Sequence, residues 1–170
     1  MSASAFISVE EYLNTSYRPD CDYIEGELLE RNVGEWDHGR LQGALCVYLS
    51  QRERESGLLV GLEPRVQVKS DRFRIPDVCL VRESQVQPIL KDPPVLCIEV
   101  LSKDDTVRSM QARIDDYLRF GVPTVWLIDP QTRRGFIHTS DGMHEAKDGV
   151  LRAVNPGFPD IELPMPELAE

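Results

Sequence analysis

Apolar positions along the chain follow two rhythms. From His38 to about Ser56 they recur at spacings of three and four. Leu41, Ala44, Leu45, Tyr48 and Leu49 share one helix face, and Gly57 suits the position just past the end. A second helical stretch runs from about Asp105 to Phe120. Val107, Met110, Ile114, Tyr117 and Leu118 form its stripe, and Gly121 ends it. Ser8-Val9-Glu10-Glu11 has capping-box spacing and opens a short helix through about Leu13.

The second rhythm is that of strands. Cys21 to Leu29 contains Glu25-Gly26, a turn between two short strands. Leu58 to Leu62, Val66 to Val68, Arg74 to Val81, Val95 to Leu101 and Val125 to Ile128 read as further strands. The last three are nearly continuous apolar runs, as in strands buried on both faces. Phe136 to His138 and Val150 to Val154 follow turns, and Trp126 reads as core. The proline-rich tail from Pro156 is expected to lie along the surface.

Val95 to Ile128 has the length of a strand–helix–strand crossover, which makes its two strands parallel. The earlier strands are close enough in sequence to be antiparallel. The expected class is α/β (α+β), a mixed β-sheet flanked by helices, in one domain over residues 1–170.

Two carboxylates break the pattern. Glu99 interrupts Val95-Leu96-Cys97-Ile98-Glu99-Val100-Leu101, and Asp77 sits between Pro76 and Val78. Alternation places Glu99 on the face of Cys97 and Leu101. A carboxylate there is costly unless paired, hydrogen-bonded or bound to metal. On neighbouring strands the two acids could hold one divalent cation, magnesium or manganese, with a backbone carbonyl as a third oxygen. They also fit a structural role, with Asp77 capping a loop and Glu99 reaching solvent or an arginine.

Composition narrows the setting. The chain has 170 residues, 41% hydrophobic and 28% charged, as in a globular domain. Cys21, Cys46, Cys79 and Cys97 lack the C-x-x-C spacing of zinc sites and read as reduced, structural thiols. No apolar run approaches the roughly 20 residues of a membrane span. The N-terminus does not read as a signal peptide, so a cytoplasmic location is expected. A net charge of −10 argues against broad nonspecific binding to nucleic acid and confines such a function to a small site with bound cations.

The strings RIPDVCLV, VLCIEVLSKDDT and RIDDYLRFGVPTVWLIDP, preceded by DYIEGELLE and DHGRLQGALCVYL, resemble the Uma-type family of the PD-(D/E)XK nuclease superfamily from about residue 8 to residue 165. The resemblance implies a restriction-endonuclease-like core with an N-terminal hairpin extension. It also implies metal-dependent hydrolysis of DNA phosphodiesters. By it, Asp77, Glu99 and the carbonyl of Val100 hold Mg2+ or Mn2+, with Asp22 as a candidate third acid. His38, at the start of the first long helix, becomes a candidate phosphate contact. The superfamily's lysine position, two residues after the glutamate, is Leu101 here. The alternative helical position, four residues before Tyr117, is Arg113. Arg113 or Lys103 is therefore the candidate positive charge, and a surface pairing of Arg113 with Asp116 is the ordinary alternative.

An arginine keeps the charge but is a poor proton acceptor. The competing expectation is accordingly a catalytically impaired descendant that binds nucleic acid or a protein. A homodimer is expected for serving both strands of a duplex.

Overall fold

A computed structural model describes residues 6–31 and 35–168. Ser8 caps α1 (Val9–Asn14) by accepting a hydrogen bond from the Glu11 amide. A hairpin follows, β1 (Cys21–Ile24) and β2 (Glu27–Glu30). Its turn has positive φ at both Glu25 and Gly26, as a tight two-residue hairpin requires.

The long helix is α2 (Trp36–Ser50), and it stops earlier than its periodicity suggests. Arg52 leaves helical geometry at φ −108°, ψ 3°, before a separate turn of helix, α3 (Glu53–Ser56). The Arg52 guanidinium bonds back to the Tyr48 carbonyl and lies over the Tyr48 ring, which favours the break. Gly57 ends α3 in the left-handed region.

Next come β3 (Leu59–Leu62), β4 (Val66–Lys69), β5 (Arg72–Arg74) and β6 (Val78–Val81). The sequence reads Arg74 to Val81 as one strand, but the structure divides it between two sheets. Pro76 has no amide to give a ladder, so pairing lapses across Ile75, Pro76 and Asp77. The Ile75 amide instead donates to Asp22 Oδ1 at 3.1 Å.

The chain continues through β7 (Leu96–Val100), α4 (Val107–Phe120), β8 (Val125–Asp129), β9 (Arg134–Thr139), β10 (Gly142–Glu145), β11 (Val150–Ala153) and β12 (Ile161–Pro164). Thr106 caps α4, and Gly121 ends it at φ 112°. Val107, expected on the buried stripe, is 89% exposed, and the whole first turn of α4 before Met110 is exposed with it.

The central sheet has six strands in the order β10-β9-β8-β7-β6-β3. Its β7–β8 pair is parallel and spanned by α4, as the crossover length requires; the other pairs are antiparallel. A four-stranded sheet, β2-β1-β5-β4, lies on the α4 side and joins the central sheet through the Ile75–Asp77 link. This is a mixed sheet flanked by helices.

Alternation sorts β6, β7 and β8 onto two faces. Val78, Leu80, Leu96, Ile98, Trp126 and Ile128 pack against Leu45 and Leu49 of α2. Cys79, Val81, Cys97 and Val125 pack against Met110, Ile114 and Tyr117 of α4. All four cysteines are free thiols.

The tail differs from expectation. Leu151, Ala153, Ile161, Leu163, Met165 and Leu168 are buried in the α2-side core, and β12 pairs with β11. The alternation Ile161, Leu163, Met165 marks a half-buried strand despite the surrounding prolines. Among the described residues no helix is long and apolar enough to cross a membrane.

Candidate active site

Parity along the strands brings the two acids together. Asp77 precedes β6 in phase with Cys79 and Val81, and Glu99 lies on β7 in phase with Cys97. Both therefore face the α4 side. Since β6 and β7 are hydrogen-bonded neighbours, the carboxylates meet at one end of the strand pair. Asp77 is 2% exposed and Glu99 0%.

Asp77 is held by three elements. Arg31, just past β2, donates to Oδ1 at 2.6 Å. The Val100 amide donates to Oδ2 at 2.7 Å, and His38 Nε2 lies 3.3 Å from the same oxygen. Burial pushes the Asp77 carboxyl up. The hydrogen bond from His38, the charge of Arg31 and the Val100 amide outweigh burial and hold it below the ordinary value. Conversely, the bond to Asp77 raises His38 above its ordinary 6.5 against the opposing effect of burial.

Glu99 is held entirely from α4. Tyr117 donates its hydroxyl to Oε1 at 2.7 Å, and Arg113 Nη1 donates to Oε2 at 2.9 Å. Arg113 and Tyr117 are four residues apart on one helix face, so one turn of α4 supplies both donors. Burial pushes Glu99 up to about 7, and the charge of Asp77 adds to it; Arg113 and Tyr117 pull against the shift. The Glu99 charge in turn raises Arg113, which stays cationic.

Behind Glu99 the charges alternate. Arg113 Nε lies 3.7 Å from Asp22 Oδ2, beyond hydrogen-bond reach. Asp22 accepts from Arg74 Nη1 at 2.9 Å, and Arg74 makes a two-pronged contact to Asp116 at 2.7 and 2.8 Å. Asp116 also accepts from Arg72. Asp22 thus anchors Arg74 of β5 and lies beside Arg113 of α4, which separates it from Glu99. Asp116, the ordinary alternative partner for Arg113, serves Arg72 and Arg74 instead.

Asp77, Val100, Arg113, His38, Arg31 and Gln42 line a cleft of about 300 Å³ that opens on this site. Gln42 donates to the backbone carbonyl of Asp77 at 3.1 Å. Lys103 does not join them. It is exposed and forms an ion pair with Glu35.

Three contributors, Gln42, Arg74 and Arg31, lay outside the sequence reading, and Asp116 was named there with a different partner. Gln42 follows His38 by four residues on α2, so the helix period could have revealed it. Arg74 and Asp116 gave no pattern signal, because a lone charge in a strand or helix is ordinary until its partner is known. Arg31 was hidden for the same reason.

Among the described residues no three His, Cys, Asp or Glu side chains form a ready-made ion cage. Asp77 and Glu99 with a backbone carbonyl such as that of Val100 would give an all-oxygen donor set, which suits magnesium or manganese. All four carboxylate oxygens already accept protein hydrogen bonds, so an ion there competes with Arg31, His38, Arg113 and Tyr117.

The fold matches, with a TM-score of 0.80, a crystal structure described as "a putative nuclease belonging to DUF820" from Anabaena variabilis. The two chains are 20% identical over 95% of this chain and 97% of that one. A slighter likeness, with a TM-score of 0.43 and 16% identity, is to a DrdV–DNA complex; it covers 75% of this chain and 10% of the other. No curated protein matches significantly. The sequence pattern of Uma2, described as "Putative restriction endonuclease", matches residues 9–166, and the chain belongs to that family.

Proposed function

We propose that this protein is a divalent-cation-dependent endonuclease that hydrolyses DNA phosphodiester bonds. The observation that carries the reading is the meeting of two buried carboxylates, Asp77 and Glu99, beside a cleft that Asp77, Val100 and Arg113 line. Family membership supports the same reading.

Asp77 and Glu99, with a backbone carbonyl for which Val100 is the candidate, would hold Mg2+ or Mn2+. Such an ion, when bound, polarises phosphoryl oxygens and makes a water acidic enough to attack phosphorus. Arg113 supplies a fixed positive charge that stabilises the charge building on the phosphate; it accepts no proton. Tyr117 fixes the rotamer of Glu99 through its 2.7 Å bond. His38, whose bond to Asp77 favours the charged form, offers a hydrogen bond to a phosphate oxygen at the cleft wall.

A second reading, a non-cleaving descendant that binds nucleic acid or a protein, has one observation in its favour. Protein donors already satisfy every oxygen of Asp77 and Glu99, with arginine where the family's lysine is expected.

Calorimetric titration of manganese into wild type and Asp77→Ala, followed by plasmid nicking in the same samples, separates the two. The nuclease reading requires binding and nicking in the wild type and the loss of both in the variant. A wild type that binds no manganese and nicks no DNA with any divalent ion removes it.

A further inference from the structure

Trp36 is the first residue of α2, and its indole is 83% exposed. An aromatic ring this open to water has a free face that a partner ring can cover. Its position ties it to the cleft. Before it, Glu35 is ion-paired to Lys103, the neighbour of cleft-lining Ser102; after it come His38 and Gly39, both in the cleft wall.

The helix surface between Trp36 and the cleft is open. Trp36, Gly39 and Gly43 fall at i, i+3 and i+7, on one face. A Cβ added at Gly39 or Gly43 would meet nothing within 4 Å. A strand entering the cleft can therefore run close along α2 with the indole at the rim.

Charge indicates what the indole would touch. The chain carries a net −10, and the cationic groups Arg31 and Arg113 at the cleft are committed to Asp77 and Glu99. Attraction for phosphate at the cleft then falls mainly to His38 and a bound cation. Stacking of a base on an aromatic ring is an independent source of affinity, and every base has a face to offer. In an intact duplex those faces are covered by neighbouring base pairs.

We propose that Trp36 is a stacking platform for an unpaired nucleobase beside the phosphate that enters the cleft, so that the preferred substrate is single-stranded or locally unpaired DNA. This rests on the nuclease reading and names its substrate form. Trp36 is a positioning residue, because it holds the strand and leaves the chemistry to the buried acids.

The chain's two tryptophans make the test direct, since Trp126 is fully buried and serves as an internal reference. The intact protein is titrated with a single-stranded oligonucleotide and with its duplex, in EDTA and again in calcium. Tryptophan emission and the anisotropy of labelled DNA are both followed. The expected result is saturable quenching by the single strand and weaker duplex binding. Trp36→Ala lowers single-strand affinity about tenfold, and Trp36→Phe, which keeps a π-face, retains most of it.

The proposal is overturned if emission does not change at saturation, if Trp36→Ala binds as tightly as wild type, or if the duplex binds more tightly. Any of these with Asp77-dependent nicking intact removes the platform alone. Failure to bind or cleave any DNA removes the platform and the nuclease reading together.

Discussion

The two faces of the central sheet come from the same three strands and are held by different forces. On the α2 side, Val78, Leu80, Leu96, Ile98, Trp126 and Ile128 form a dry layer closed by Leu45, Leu49 and the returning tail. On the α4 side, the same strands place Asp77 and Glu99 among Cys79, Cys97, Val125 and Tyr117. Burial stabilises the first face without regard to pH. The second adds to its own apolar cluster two acids that are tolerated only while each has its partner, because a buried carboxylate left alone costs several kcal/mol. A purely apolar layer and the candidate site thus lie on opposite sides of one sheet, one residue apart.

The largest expected effect lies on the dry face. Trp126 is fully buried, and its indole nitrogen donates to the Arg152 carbonyl at 3.1 Å, tying the sheet to β11. Trp126→Ala should lower unfolding free energy by about 3–5 kcal/mol, read from urea denaturation, with the loss nearly equal at acid and neutral pH. A strongly pH-dependent loss would end the division of labour.

The charged face should show the opposite behaviour. Glu99 has a folded pKa of about 7, above its ordinary 4.5, so the folded state holds the proton more tightly. Its stabilising contribution is fully present below 4.5 and is lost as pH rises through about 7. Relative to Glu99→Gln, the wild type should lose on the order of 3 kcal/mol between the two values. His38 is shifted upward too, so it loses stability in the same direction above 6.5, and this component remains in the variant. Asp77 is shifted down and acts only in acid, where its contribution is lost as pH falls through its folded pKa. Parallel urea titrations from pH 5 to 8 that show no difference in slope between wild type and Glu99→Gln would remove this account.

The smallest effect is expected outside both faces. Lys103 pairs with Glu35 in solvent, where ion pairs contribute little. Lys103→Ala should leave the urea midpoint and plasmid nicking unchanged. A large loss of nicking would return Lys103 to the site.

Much of the layout was legible because periodicity reports burial directly. The parallel β7–α4–β8 unit follows from the length between Val95 and Ile128, and the apolar runs marked both acids as misplaced. Less visible was the division of Arg74–Val81 between two sheets, since proline near a strand start is compatible with either arrangement. The tail was misread because its prolines masked the alternation of Ile161, Leu163 and Met165. The partners of the acids were least legible. Arg31, Arg74 and Asp116 meet their counterparts at separations of 42 to 52 residues, and no local pattern encodes such distances.

The three-residue link Ile75–Asp77 has a consequence for how this chain can change over generations. Side chains alternate along a strand, so one residue gained or lost between Asp77 and Val78 would turn Asp77 away from Glu99 and toward the aliphatic layer. The turn at Asp148–Gly149, remote from the cleft, is under no such constraint. Insertions and deletions should therefore be tolerated in that turn and purged from the link, where a single codon separates a paired acid from a charge stranded in oil.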